Sequence, residues 1–424
     1  MTSVQVTIDA IAAGGAGVGR APDGRALFVH RTAPGELVTA RITEKKPRFA
    51  RGQLIRVDEP SAHRRTAPCS YYDRCGGCTL EHLQYDAQLA VKARIVADAV
   101  ARIGGMTINV PEVVPSPFEL RYRNRVSFTL VRLGDGQVRA GFHEIHRPDR
   151  VLDIDESCLM PEAAVAEAWQ RLRAAWGRNA SRLPSGQRLR LTLRATAAGD
   201  AALLVQGGFG PGRPDELLPR VPMLRAIWHQ PRPGDEPVLL AGSDRLGERW
   251  QDEDIELGGA VFLQVNREAA VLLENHVLEV AGDVENRVVV DAYCGVGLHT
   301  RRLSARGARV TGIELDSRAI GEAERGAPGA HFITDTVEAA LPSVLPVDLV
   351  VVNPPRAGLD AAVVAALVAQ PPDRIIYISC DPATLARDLK RLAPAFALRS
   401  IRCFDLFPQT AHVETVVELT CSTM

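Results

Sequence analysis

A change of pattern near residue 256 constrains this chain more than any other feature. From there strand-length apolar runs alternate with helical segments: Val288–Val290, Arg309–Ile313, Leu349–Val352, Ile375–Ile378 and Val413–Leu419. Runs such as V-V-V and L-V-V-V carry no polar face, which suits a parallel sheet covered by helices on both sides. The pattern predicts a doubly wound, Rossmann-like α/β unit over residues 256–424, with ligands at the carboxyl ends of its strands.

The rest of the 424 residues must fold separately, because one core rarely grows so large. Residues 1–58 alternate at Val4, Val6 and Ile8, pass through the loop G-G-A-G-V-G-R (14–20), and offer short strands at Ala26–His30, Glu36–Ile42 and Gln53–Val57. Short strands punctuated by Gly and Pro predict a small β-barrel of the oligonucleotide-binding kind. Residues 59–255 read as an α+β central domain. Its strands are expected at Arg125–Val131, Arg188–Arg194 and Ala201–Gln206, with a helix over Glu162–Trp176. A further helix, from Leu80 to Ile103 and stopped by Gly104 and Gly105, is free to pack on the last unit.

Hydrophobic residues at 46% and charged residues at 24% describe a globular protein with a proper core. No stretch reaches the ~18 apolar residues of a membrane helix, and residues 1–9 do not resemble a signal peptide. The expected compartment is the cytoplasm, and no obligate protein partner is evident. A net charge of -1 is not that of a generic polyanion binder, so distribution matters more than the sum. Lys45, Lys46, Arg48, Arg51 and Arg56 form one basic stretch; Arg121, Arg123, Arg125, Arg132 and Arg139 form another. Asp252, Glu253, Asp254 and Glu256 form an acidic run.

The strand ends carry the chemistry. The first ends in D-A-Y-C-G-V-G (291–297), where Gly295 lets a ligand approach the backbone. Thr300 stands where a dinucleotide fingerprint needs its third glycine, which favours a mononucleoside cofactor such as S-adenosylmethionine. Glu314 ends the second strand, where a carboxylate can accept from ribose hydroxyls. The fourth ends in N-P-P-R-A-G-L-D from Asn353, the fifth in Y-I-S-C-D-P with Cys380, and H-V-E-T puts Glu414 at the start of the last. Taken singly, each has a plain reading: a structural turn, a rigid loop, an inert buried thiol. Eight cysteines in a cytosolic chain do not suggest disulfides. Three of them, Cys69, Cys75 and Cys78, fall within ten residues and need a fourth ligand; their spacing suits zinc or an iron–sulfur cluster equally.

Together the motifs F-L-Q-V-N, D-A-Y-C-G-V-G, N-P-P-R-A-G, S-C-D-P-A-T-L-A-R-D-L and H-V-E-T, in this order, resemble the RNA uracil-5 methyltransferase family, which modifies tRNA or ribosomal RNA. The resemblance spans nearly the whole chain and implies a TRAM domain in front of a Rossmann-like methyltransferase domain. It implies Cys380 as nucleophile and Glu414 as base, and places Gln264, Tyr293, Glu314, Asn353 and Asp335 around S-adenosylmethionine. It also implies Cys158 as the fourth ligand of a structural 4Fe-4S cluster, leaving Cys294, Cys403 and Cys421 as core thiols. The chain departs from the family at Leu298, where Asn is frequent, at Asn353, where Asp is, and at Asp381, where Asn is.

The chemistry explains the residue types. Carbon 5 of uracil is too weak a nucleophile to take a methyl group until a thiolate adds to carbon 6. The proton on carbon 5 must then leave to a positioned base before the thiolate departs. The target base must also leave its stack. One rival is an amino-methyltransferase acting on protein or base nitrogens, suggested by N-P-P; Arg356 stands where such enzymes carry a stacking aromatic. Another is a non-catalytic RNA-binding iron–sulfur protein, which leaves Cys380 and Glu414 without roles.

Overall fold

The computed structural model describes residues 3–250, 253–258 and 263–422; Asp252 of the acidic run and Phe262 of F-L-Q-V-N lie outside them. The chain opens with β1 (Ser3–Ile11), β2 (Ala16–Arg20), β3 (Ala26–His30), β4 (Leu37–Lys45) and β5 (Phe49–Glu59), closed into a barrel in the order β1-β2-β3-β5-β4. The period-two alternation turns Val6 and Ile8 inward, against Leu27, Val29, Val38 and Ala40. Residues 16–20, expected within a loop, form β2 instead. Their glycines answer a need for space. A Cβ on Gly17 would stand 2.0 Å from Thr32 Oγ1, and one on Gly19 2.1 Å from the Thr7 carbonyl oxygen.

Helix α1 (Tyr85–Ala99) runs on into a π-helical turn, Val100–Gly104, and stops at Gly105 with φ 70°. It does not begin at Leu80, because Gln84 N, which a helix from Leu80 would direct at the Leu80 carbonyl, donates instead to the His63 carbonyl at 2.9 Å. The short β6 (Val113–Val114) follows.

The central sheet has six strands: β7 (Arg125–Arg132), β8 (Val138–Gly141), β11 (Arg188–Ala195), β12 (Ala201–Gln206), β13 (Leu224–Gln230) and β14 (Val238–Gly242). Between β8 and β11 lie the hairpin β9 (His143–Glu144) and β10 (Arg147–Val151) and helix α2 (Ala163–Ala175); the short α3 (Pro214–Leu217) precedes β13. From α2, Trp169 stacks on Phe128 of β7, centroids 3.9 Å apart, a contact worth about 1 kcal/mol beyond its area. A second hairpin, β15 (Arg245–Trp250) and β16 (Glu253–Gly258), carries Trp250 into the core of the last unit.

That unit contains α4 (Arg267–Ala281), β17 (Val288–Ala292), α5 (Leu298–Ser304), β18 (Arg309–Glu314), α6 (Ser317–Gly326), β19 (His331–Thr334) and α7 (Val337–Val344). It continues through β20 (Leu349–Val352), α8 (Ala361–Ala369), β21 (Arg374–Ser379), α9 (Pro382–Leu392), β22 (Phe396–Phe404) and β23 (Glu414–Cys421). Its sheet order is β19-β18-β17-β20-β21-β23-β22-β6. Strands β17 to β21 are parallel, and β23 runs antiparallel between β21 and β22. The chain order reverses between β17 and β20, the switch point where such sheets open a crevice. Strand β22 lacked a sequence signature, because Arg399 and Arg402 interrupt its apolar residues. Helix α1 is built into this unit: Ala93, Val96 and Val100 share a core with Val290, Val350 and Tyr377. Lys92 reaches Asp405 as a fully buried ion pair, so loss of either partner would strand a charge, at about 3–5 kcal/mol. No helix among the described residues is long and apolar enough to cross a membrane.

Candidate active site

Cys380 follows the last residue of β21 and precedes α9. Asp381 caps the helix, accepting from the N–H groups of Ala383 at 2.9 Å and Thr384 at 3.0 Å, and Pro382 takes the first helical position. This strand-to-helix turn leaves Cys380 half-buried at the positive end of α9. Across the ladder Ser379 pairs with Thr415, so Glu414, which begins β23, stands one step further on, beside Cys380. Both catalytic residues implied by the sequence are brought together by a register spanning thirty-four positions.

Their electrostatics are coupled. Burial pushes the Cys380 thiol up, the Glu414 carboxylate adds to that, and the Arg356 guanidinium pulls it back. Burial pushes the Glu414 carboxyl up to about 7, again with Arg356 opposing; its residue is only 4% exposed. Arg356 is the functional residue that sequence reasoning passed over. Its signal was a cation directly after the two prolines of a strand-end loop. That loop is held by Asp388, whose Oδ2 accepts from Leu359 N at 2.8 Å and Tyr377 Oη at 2.9 Å. A Cβ on Gly358 would lie 2.3 Å from the same oxygen, which explains the glycine.

The crevice beside this pair collects the residues expected around a nucleoside. Tyr293 leaves β17 with φ 63°, and Asn353 leaves β20 with its N–H on the Ala292 carbonyl at 3.2 Å. Glu314 is held by three backbone donors: Gly295 N at 3.1 Å, Leu315 N at 2.8 Å and Asp316 N at 2.9 Å. Asp335 follows β19 and donates its N–H to the Glu314 carbonyl at 3.2 Å. The two glycines of this turn differ. A Cβ on Gly297 would meet Ala323 Cβ at 2.7 Å, whereas one on Gly295 would meet nothing within 4 Å. Gly297 therefore serves packing against α6, and Gly295 borders open space. Gln264 comes from elsewhere, on the segment entering α4, where its carbonyl accepts from Asn124 Nδ2 at 3.0 Å.

Cys69, Cys75, Cys78 and Cys158 line one cavity together with Glu81, Arg123 and Met160. Burial pushes all four thiols up, Cys158 to about 12. Arg31 staples the loop, lying 3.5 Å above the Tyr72 ring and donating to the carbonyls of Cys78 at 2.7 Å and Cys75 at 2.6 Å. Gly77 N donates to Cys75 Sγ at 3.3 Å. Among the described residues, no three His, Cys, Asp or Glu side chains converge closely enough to hold a single metal ion.

The two basic stretches part company. Lys45, Lys46, Arg48, Arg51 and Arg56 are all exposed on β4, β5 and their connection. In the second stretch Arg132 spends its guanidinium on four backbone carbonyls, including Ala180 and Pro184 at 2.9 Å. Arg123 lies over the rings of Tyr122 and Phe407, 5.7 Å from each centroid. Only Arg121 and Arg139 of that stretch are exposed.

Known proteins match along the whole chain. The TRAM domain profile matches residues 2–55, and that of tRNA (Uracil-5-)-methyltransferase matches residues 343–422. An uncharacterized RNA methyltransferase of Synechocystis is 33% identical, covering 98% of this chain and 95% of its own. One from Gloeobacter violaceus is 34% identical over 98% and 96%. The solved tRNA (uracil-54, C5)-methyltransferase of Pyrococcus abyssi, in complex with S-adenosyl-L-homocysteine, superposes with a TM-score of 0.77 at 29% identity, covering 98% of this chain and 99% of that one. The closed barrel and the Rossmann-like sheet agree with these matches, and the chain belongs to the RNA methyltransferases of the tRNA uracil-5-methyltransferase type.

Proposed function

We propose that this protein transfers a methyl group from S-adenosylmethionine to carbon 5 of a uridine in tRNA or ribosomal RNA, through a covalent adduct at Cys380. The observation that carries the reading is the adjacency of Cys380 and Glu414 across the β21–β23 ladder, with Arg356 acting on both. A nucleophile next to a carboxylate raised to about 7 has a base able to take a proton near neutral pH. Arg356 favours the thiolate and the carboxylate alike, which both roles require.

S-adenosylmethionine supplies the methyl group on a sulfonium. The Glu314 carboxylate, already oriented by three N–H groups, suits ribose hydroxyls. Leu315, 64% exposed beside it, suits the flat face of a purine. Tyr293, Gly295, Asp335 and Asn353 border the same crevice, and Gln264 would approach from the segment before α4. The Cys380 thiolate would bond to carbon 6, and carbon 5 would take the methyl group as its bond to the sulfonium breaks and S-adenosylhomocysteine leaves. Glu414 would take the carbon 5 proton, and the sulfur–carbon 6 bond would break to return the thiolate. Incubated with labelled S-adenosylmethionine, the protein is expected to methylate unmodified tRNA or ribosomal RNA, giving 5-methyluridine on digestion. Label on a base nitrogen or on protein would favour the amino-methyltransferase and overturn the reading.

A 4Fe-4S cluster held by Cys69, Cys75, Cys78 and Cys158 fits the donor set. Four thiols that line one cavity are the kind of donor set such a cluster uses. The N–H of Gly77 directed at Cys75 Sγ is the kind of contact that tunes a cluster thiolate. Protein purified without oxygen should be brown and contain iron and sulfide. One equivalent of zinc, with neither iron nor sulfide, would remove the assignment.

A further inference from the structure

Glu414 is reached through the segment Phe407–His412, and the polar groups of Pro408, Gln409 and Ala411 in that segment bond to residues of the N-terminal half of the chain. At its centre is Gln409, fully buried and with φ 67°, a backbone conformation that a non-glycine residue keeps only when its surroundings enforce it. Both polar atoms of its side chain are bonded. Oε1 accepts from Gln88 Nε2 at 2.9 Å and from Arg65 at 3.0 Å, and Nε2 donates to the Glu119 carbonyl at 3.1 Å. Its backbone N–H donates to Gln88 Oε1 at 3.0 Å. Its carbonyl takes both Thr79 N and Leu80 N at 2.9 Å. Two residues on, Ala411 N donates to Thr79 Oγ1 at 3.1 Å, and just before, the Pro408 carbonyl accepts from Tyr122 Oη at 3.1 Å. Thr79 directly follows Cys78 and is itself hemmed in by the barrel, since a Cβ on Gly15 would stand 2.5 Å from it.

We propose that Gln409, clamped by Thr79, is a positioning residue that holds the segment carrying Glu414 at the reach and angle needed to take the carbon 5 proton. The proposal rests on the reading of Glu414 as base. Gln409 touches neither substrate nor the reacting atoms; it acts through the five-residue lead into β23. A clamp of this kind controls one step. Releasing it leaves Cys380 on β21 and α9, so addition to carbon 6 and methyl transfer proceed, while proton removal slows because the carboxylate is displaced.

The test compares Gln409→Ala, Thr79→Val and Thr79→Ser with the wild type and with Glu414→Gln. Gln409→Ala should lower kcat by about ten- to a hundred-fold, with KM for RNA falling in step so that kcat/KM is little changed. It should also accumulate a denaturation-resistant protein–RNA adduct that carries the labelled methyl group. Thr79→Val, which loses only the hydroxyl acceptor, should show the same adduct at a smaller rate loss, and Thr79→Ser, which keeps it, should recover. Thr79→Val decides the matter if Gln409→Ala does not fold. A purely structural role would lower melting temperature and the amount of active enzyme without trapping adduct, and that result would overturn the proposal. Normal turnover in Gln409→Ala, while Glu414→Gln traps adduct, would remove the clamp and leave the base intact. Normal turnover in Glu414→Gln would remove both.

Discussion

Cys380→Ala is expected to abolish methyl transfer, with a loss on the order of 10⁴-fold or more, and to form no covalent RNA complex. Without the sulfur no bond forms at carbon 6, and carbon 5 stays too weak a nucleophile to attack. The fold should tolerate the change. Cys380 is half-buried and lies outside the strand, and the Asp381 cap and Pro382 keep the turn in place. S-adenosylmethionine affinity should be unchanged, since the residues bordering that crevice stand on other strand ends. The check is single-turnover methylation alongside cofactor binding by calorimetry. Near-normal turnover would sink the covalent mechanism outright.

Glu414→Gln is expected to behave differently, slowing turnover by about 10²–10⁴-fold while trapping a methylated protein–RNA adduct on a denaturing gel. The pH dependence follows from its environment. The carboxyl is pushed up to about 7, and the base acts as carboxylate after methyl transfer, so wild-type kcat should rise with pH through that value. The variant should lose this limb. Stability moves the other way. A carboxyl raised in the folded state is harmless below about 4.5, where it is neutral in both states, and costs progressively more as pH rises to its folded value. The limiting cost is on the order of 3 kcal/mol. Relative to wild type, Glu414→Gln should therefore melt higher at pH 8.5 than at pH 5. Equal differences at both pH values would show that burial does not penalise the charge.

A base that destabilises its own fold needs strong local support. Two sources are visible. Arg356 offsets part of the penalty, and the Phe407–His412 segment ahead of Glu414 is bound on several sides by Gln88, Thr79, Leu80 and Tyr122. Neither source lies on the strand that carries the carboxylate. Residues of the N-terminal half of the chain, Thr79, Leu80, Gln88 and Tyr122, thus hold the segment that leads to Glu414.

The sequence by itself determined the layers and the motifs at the strand ends. Period two in Val4, Val6 and Ile8, and uninterrupted apolar runs in β17, β20 and β21, are local patterns whose burial follows from hydrophobicity alone. Motif residues at strand ends were legible for the same reason, since the ends of those runs are where a doubly wound sheet opens its crevice. The tertiary structure decided what depends on partners distant in sequence. Gly17 and Gly19 looked like loop residues until Thr32 and Thr7 showed that a strand there has no room for a side chain. The helix expected from Leu80 starts at Tyr85, because Gln84 N binds the His63 carbonyl rather than that of Leu80. Arg132 stands in a basic stretch of the sequence, yet it holds carbonyls of a neighbouring loop. Arg356 and Gln409 gain their roles only when β21, β23 and the cysteine loop meet. A side chain's charge and size are written in the sequence, but which group it faces is set by packing, and at this site packing chose partners from both halves of the chain.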